Sequence, residues 1–414
     1  MPSCSVVIPT YNHEATVVRA LQSVLSQEGV DPASLEAIVA DDGSSDGTVA
    51  KARAIAEVDS RVRVIEHDEN TGTLRNRRDG VAATRGTWVM LMDADDELAP
   101  GALGTLAAAV EEDPAQIVHF GVEVLAETPA AAQAAAGMAG FLTPEPRRLE
   151  GDRILAAQIA GEGGFDWHLH HRLFDGGLIR AAYGAAADER LTVADDIYLS
   201  FIVGSLARSY RALSDAPLYR YHLGAGDTFG DVLDVAHLTR LAEADATALR
   251  LARAFVAGST APVRDDWEAR LADLSDRLSE HVMNEWWDNL PGGDRKAGLD
   301  AILSTWGVEA GCAAVTQELW RFLRDSAYGL WVSDDRDDPA ARERLGSLLA
   351  LIESLEGEPG FSAEGRPHYG ALRAAALGHL TDLGVVPGPE PVGPDPAPEA
   401  GPRGLRGLLG RLFG

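Results

Sequence analysis

Cysteine is almost missing from this chain: 414 residues carry two, Cys4 and Cys312, far apart in sequence. Two distant thiols give neither a disulfide framework nor a cysteine metal spacing, and they fit a reducing compartment. Positive charge is scarce as well. Lys and Arg number 36 against 64 Asp and Glu, a formal net charge of -28. That balance argues against a nucleic-acid partner, which needs a basic patch for the phosphate backbone. No apolar run approaches the length of a membrane span. The first residues enter a strand with no basic and apolar leader, so no secretory signal is expected. No Gly-x-Gly-x-x-Gly follows the first strand and no Gly-Lys-Ser/Thr loop occurs, which disfavours nicotinamide and flavin dinucleotides and phosphate-loop nucleotides. The remaining expectation is a soluble, cytoplasmic protein of two or three domains whose ligands are small and bring their own cation.

What the chain does have is acid, gathered at strand ends. Thr87-Trp-Val-Met-Leu-Met-Asp-Ala-Asp-Asp96 reads as a short buried strand followed at once by three carboxylates. Unpaired carboxylates at the mouth of a core strand repel one another and lose hydration, so something positive must neutralise them. An extended backbone would aim Asp93 and Asp95 to one side. Mg2+ or Mn2+ shared with a diphosphate suits two such carboxylates. The plainer reading is a polar turn with Asp96 as an N-cap ahead of Pro100.

Taken in order, Ser5 to Pro9 is a strand ended by Pro9, and residues 14 to 27 form a helix on Val17, Leu21, Val24 and Leu25. Leu35 to Ala40 is a second strand, and Asp46 or Ser45 can cap the helix that carries Val49, Ala52 and Ile55. Arg61 to Glu66 is a third strand, 70 to 86 a loop and a helix, and Trp88 to Met92 a fourth strand. Such alternation predicts a parallel sheet with crossover helices. Ligands of these sheets sit beyond the carboxyl ends of the strands. Thr10-Tyr11, Asp41-Asp42 and Asp93 to Asp96 all fall there and should converge on one crevice.

Val6-Val-Ile-Pro-Thr-Tyr-Asn12, Asp41-Asp-Gly-Ser-Ser-Asp-Gly47 and Asp93-Ala-Asp-Asp96, with Asn70-Thr-Gly72, Arg77, Gly80 and Gly86 between them, resemble the family-2 glycosyltransferases of GT-A fold. The resemblance is strong over residues 3 to about 125 and looser from about 165 to 229. It implies a mixed α/β GT-A sheet flanked by helices, and a nucleoside-diphosphate sugar donor, UDP-sugar by default. By analogy Pro9, Thr10 and Tyr11 would line the nucleoside pocket, and Asp41 and Asp42 would meet the base. Asn70, Gly72 and Arg77 would stand near the diphosphate or base. Asp93 and Ala94 would meet the ribose, and Asp95 with Asp93 would hold Mg2+ or Mn2+. The family often shows Ala-Arg-Asn where this chain has Asn76-Arg77-Arg78. A guanidinium suits a diphosphate because it donates in a bidentate fork; the plainer reading of Arg77 and Arg78 is a solvated helix face.

Asp195-Asp196 falls where the family carries a Glu-Asp pair whose second member resembles the catalytic base. Inverting transfer needs one carboxylate to accept the acceptor hydroxyl's proton, and Asp196 is assigned that role with Asp195 as its neighbour. The alternative is an acidic helix N-terminus that favours the dipole. His222 and Arg220, on a later strand, are candidates for metal or diphosphate contact, although a lone His beside aromatics is more often structural. Phe165-Asp-Trp-His-Leu-His-His-Arg-Leu-Phe174 suggests zinc by its three histidines, but its spacing matches no common ligand signature, and packing or hydrogen bonds to a sugar is preferred.

From 231 the strand pattern stops and amphipathic helices follow. The expected layout is a GT-A domain over 1–229, an all-α domain over 230–386, a proline-rich linker over 387–402 and a basic amphipathic tail over 403–414. Leu405, Leu408, Leu409 and Leu412 share one helical face of the tail beside Arg403, Arg406 and Arg411. That pattern allows peripheral contact with the inner face of a membrane, useful if the acceptor is a lipid-linked or cell-envelope glycan. Trp286-Trp287 reads as core packing and Asp334 to Asp338 as a solvated linker. Two rival classes remain, a nucleotidyltransferase and a non-catalytic sugar-binding scaffold. The first expects a glycine-rich basic first loop, which residues 9 to 16 lack.

Overall fold

The computed structural model describes residues 3–162, 165–224, 233–306, 312–364 and 366–387. Two compact units are distinguished, Met1–Asp231 with Ala248–Arg270, and Val232–Thr247 with Leu271–Gly414.

The first unit begins with β1 (Cys4–Thr10), α1 (Val17–Leu25), β2 (Leu35–Asp41), α2 (Thr48–Ala56), β3 (Val62–Glu66), α3 (Thr73–Ala82) and β4 (Trp88–Leu91). β1 lies parallel between β2 and β4, and β3 extends the sheet beyond β2. Val6, Val7, Ile8, Ile38, Val39, Val89 and Met90 are buried, the near-continuous apolar run of strands covered on both faces. Helix α1 closes one face with Val17, Ala20, Leu21 and Val24. Pro9 does not end its strand. β1 runs on through Pro9, opposite Ala40, to Thr10. The carbonyl of Val7 accepts from Met92 N on the β4 side, and Pro9, two residues on, faces the same side just where β4 has stopped. Its missing N–H therefore leaves no gap in the ladder.

The chain continues through β5 (Glu97–Leu98), α4 (Ala102–Glu112), β6 (Ile117–Ala126), α5 (Pro129–Leu142), β7 (Arg148–Glu150), α6 (Asp152–Ala160), β8 (Arg172–Asp175), α7 (Gly176–Ala185), α8 (Asp195–Leu206) and β9 (Ser209–Leu223). The sheet order is β3-β2-β1-β4-β8-β6-β9-β5, with β7 beside β9. β8 is antiparallel to both β4 and β6, so the sheet is mixed. Helices α4 and α7 go beyond the sequence expectation. α4 starts from Gly101 in a left-handed conformation with no side-chain cap, whereas α7 opens on two glycines behind a capping Asp175 that accepts from Leu178 N. The Ala- and Pro-rich segment after β6 forms the full helix α5, capped by Thr128 with Pro129 in the first turn.

Among the described residues, every element after β9 is helical: α9 (Val235–Ala257), α10 (Trp267–Asn284), α11 (Arg295–Trp306), α12 (Cys312–Val332), α13 (Pro339–Glu356) and α14 (Pro367–Asp382), with a π-helical turn at Glu285–Asn289. Trp286 is buried, and Trp287 stacks on Phe322 with centroids 4.7 Å apart, so this pair is core. Asp338 accepts from Ala340 N and caps α13. No helix of the described residues is long and apolar enough to cross a membrane. The expected linker and tail, from 388 to 414, lie outside the described residues.

Candidate active site

The loops beyond β1 and β2 are built by the polar residues that the sequence places there. Thr10 Oγ1 donates to Asp41 Oδ1 at 3.0 Å, while Ser44 donates to the same carboxylate through N at 2.8 Å and Oγ at 2.5 Å. Thr10 and Asp41 are buried and serve the loop, whereas Tyr11 is 47% exposed. Asn12 adopts a left-handed φ of 59° and accepts from Ser45 N, tying the two loops together.

Asp42 is turned inward. It accepts from Thr71 N at 2.7 Å, Thr71 Oγ1 at 2.7 Å and Gly72 N at 2.9 Å. The turn at Asn70 to Gly72 is pressed against the segment before α8. Gly72 has φ of 95°, and a Cβ there would stand 2.9 Å from the Arg190 side chain and 3.2 Å from the Leu191 carbonyl. Arg190 also donates to Asn70 Oδ1 at 2.8 Å.

The centre of the arrangement is Arg77, on the buried face of α3 and 6% exposed. Its Nη2 donates to Asp93 Oδ1 at 3.0 Å, and its Nη1 donates to Asp195 Oδ2 at 2.8 Å and to Asp196 Oδ1. Asp93 arrives from the end of β4 and the acidic pair from the first turn of α8. Ala194, just before that pair, sits at φ of 61°, a strained conformation for alanine. Three carboxylates share one guanidinium. Burial accordingly pushes Asp195 up to about 7, against the pull of Arg77 and with a further push from the charge on Asp196. Arg77 Nε and Asn76 Oδ1 are buried without a hydrogen-bond partner, which leaves polar capacity beside the cluster. Arg78, by contrast, reaches Asp188 and the carbonyls of Ala186 and Ala187 and stands apart.

The acidic stretch after β4 is not extended. Asp96 N donates to Asp93 O at 3.2 Å, so the backbone turns. Asp93 meets Arg77. Half-buried Asp95 is held above the usual carboxylate range by burial and by the charge of Asp93, against His13 and Arg19. Arg19 Nη2 donates to the Asp95 carbonyl. Ala94 is buried. Asp96 is no helix cap: it is fully buried and accepts from Tyr219 Oη at 2.7 Å and from His222 N at 2.8 Å. Burial, with Asp95 and Asp93 nearby, holds it well above its ordinary value.

Asp93 and Asp95 offer only oxygen, and their charge is incompletely balanced, so they fit a hard divalent cation. His222 does not join them in this geometry. Its Nδ1 meets Glu127 at 2.5 Å and its Nε2 meets Glu97 at 2.7 Å, so both ring nitrogens are committed. Arg220 pairs with Glu123 on the neighbouring strand. Sequence reasoning missed Arg19, the cation of helix α1, and Tyr219, whose hydroxyl also accepts from Asp93 N at 3.1 Å. The alternation of Tyr219 and Tyr221 along β9 was the available signal.

Residues 5–145 match the model of glycosyl transferase family 2. The chain is 38% identical over 125 residues to succinoglycan biosynthesis protein ExoO of Rhizobium meliloti, covering 30% of this chain and 34% of that protein. It is 34% identical over 118 residues to the GalNAc(5)-diNAcBac-PP-undecaprenol beta-1,3-glucosyltransferase of Campylobacter jejuni, covering 28% and 37% respectively. A longer match, 29% identical over 267 residues, covers 61% of this chain and 69% of ExoU, also of Rhizobium meliloti. The chain thus spans about a third of the length of the first two relatives. Among solved structures, S. aureus TarS 1-349 superposes with a TM-score of 0.55 over 92% of this chain and 90% of that chain, at 17% identity, a likeness of fold.

Proposed function

We propose, from the match of residues 5–145 to the model of glycosyl transferase family 2, that the protein transfers a sugar from a nucleoside-diphosphate donor to a hydroxyl acceptor, with inversion at the anomeric carbon. The observation that carries this reading is the meeting of Asp93, Asp195 and Asp196 at Arg77. A candidate base and a candidate metal ligand, distant in sequence, stand one guanidinium apart.

Asp196 is the base. It is the more exposed of the α8 pair and can accept the proton of an acceptor hydroxyl as that oxygen attacks. Asp195, buried behind it, fixes Arg77. A donor's diphosphate offers Arg77 an alternative anionic partner and so would loosen its hold on Asp196. Asp93 and Asp95 would hold Mg2+ or Mn2+, which supplies Lewis-acid stabilisation of the leaving diphosphate. Tyr11, exposed beyond β1, offers a face to the nucleoside, while Thr10, Asp41 and Asp42 keep its loops in place. Solved complexes of TarS with UDP and UDP-GlcNAc support a uridine donor. The names of the relatives support a cell-envelope polysaccharide or lipid-linked acceptor. A cytoplasmic enzyme with a GT-A domain over 1–229, a helical domain over 230–386 and a tail at 403–414 that touches the membrane completes the proposal.

A panel of nucleotide sugars tests it, assayed for release of nucleoside diphosphate with and without EDTA. Metal-dependent release is expected with at least one donor, and Asp196→Asn should lower it about 100-fold or more with the fold intact. Release of pyrophosphate from a nucleoside triphosphate would point to a nucleotidyltransferase instead. Binding without turnover would point to a scaffold.

A further inference from the structure

The histidine-rich segment before β8 contributes to the most elaborate polar cluster buried in the first unit. Asp166 and His171 come from that segment and His119 from β6. All three are buried, at 2%, 0% and 0% exposure. Asp166 Oδ2 lies 2.9 Å from His171 Nε2 and 3.5 Å from His119 Nε2, and the three donor atoms all fall within 4.8 Å of one another. Neighbouring ligand atoms of a tetrahedral zinc stand about 3.3 Å apart, given metal–ligand distances near 2.0–2.1 Å. The 2.9 and 3.5 Å separations from Asp166 Oδ2 lie on either side of that spacing.

Their outer contacts match as well. His119 Nδ1 is bonded to Tyr210 Oη at 2.8 Å, and His171 Nδ1 to His170 Nδ1 at 3.1 Å, so each ring is oriented through the nitrogen that faces away from Asp166. His119 Nε2 is buried with no hydrogen-bond partner. Arg172 and His168 engage the other carboxylate oxygen, Asp166 Oδ1, and leave Oδ2 to the two imidazoles. Arg172 is the opposing charge. It stands on the far oxygen, where it lowers the affinity of the site without entering it.

We propose that His119, Asp166 and His171 form a zinc site that ties β6 to the start of β8, with the fourth position left to water. Two imidazoles and one carboxylate select zinc over Mg2+ or Mn2+, which prefer oxygen throughout. Tyr210 brings β9 into the same staple. His170 stacks on Tyr219 at 4.7 Å, so the staple also backs the residue that supports Asp93 and Asp96.

The test uses the full chain and does not depend on turnover. Elemental mass spectrometry of the dialysed protein should find about one zinc per chain in the wild type and in His168→Gln, and loss of that zinc in His119→Gln and His171→Gln. Chelator-stripped wild type given Co2+ should show the visible bands of a tetrahedral site. A wild type that retains no zinc and shows no cobalt bands overturns the proposal, whether or not the variants fold. Equal zinc retention by His119→Gln overturns it too, since the metal would then lie elsewhere.

Discussion

Arg77 shows how one residue can decide the character of a site. It is buried and bonded to three carboxylates, and nothing else of positive charge stands among its direct partners. Arg77→Ala should therefore cost about 3–5 kcal/mol, the usual penalty for stranding buried charge, as measured by urea denaturation. Arg77→Lys keeps the charge but loses the fork, and an intermediate loss is expected. A variant as stable as the wild type would show that the three carboxylates do not depend on Arg77. The sequence marked Arg77 only through its resemblance and its place in a run of arginines. Nothing local separated it from Arg78, which docks on the segment at 186–188.

At the scale of elements, α3 must lie close on β1 for Arg77 to reach the strand ends. Gly80 permits that approach: a Cβ there would stand 2.5 Å from Val7 Cγ1 and 3.2 Å from Ala40 Cβ. Gly80→Ala should destabilise the first unit by about 1–3 kcal/mol through overpacking, read from its denaturation midpoint. An unchanged midpoint would mean that helix and strand are further apart. In the helical unit, α9 and α10 are joined by fully buried Asp245 and partly exposed His281, 3.1 Å apart. Burial opposes the charge on His281, but Asp245 outweighs it and raises its pKa above the ordinary 6.5; burial raises Asp245 above its own ordinary value. Both folded values lie above the unfolded ones, so the pair stabilises at low pH and that contribution fades as pH climbs past 6.5 through the folded His281 value. Denaturation between pH 6 and 9 should show this decline, and His281→Gln should flatten it. A wild type with no slope in that window would contradict the pairing.

For the whole molecule, the net charge of -28 sets the terms on which any anionic ligand approaches. A diphosphate must bring a cation or displace a carboxylate from Arg77, so EDTA should weaken donor binding and Asp95→Ala should do the same. Calorimetry with UDP-sugar and Mn2+ measures both, and metal-independent binding by the wild type would remove the cation from the account. The basic segment 403–414 tests the remaining expectation. Deleting residues 388–414 should leave the melting temperature unchanged and reduce sedimentation with anionic vesicles. Equal sedimentation would assign the tail some other partner.

By itself the sequence determined the alternation of strand and helix, the parallel start of the sheet, the helical second half and the match of residues 5–145 to glycosyl transferase family 2, because these rest on short-range periodicity and on motifs held within a few residues. It also put acid at the strand ends. Only the tertiary structure decided which acids share a cation. Asp195 and Asp196 lie 118 and 119 positions from Arg77, and no local pattern couples them. The turn after β4 left Asp93 on Arg77 and carried Asp96 onto Tyr219 and His222 N, partners that no local pattern names. The same holds for the histidines: spacing within 165–174 argued against a metal because the third donor, His119, sits on β6 and reaches them only when β6 and β8 pair. Chain pairing across long sequence distances sets such geometry, and a linear pattern does not encode it.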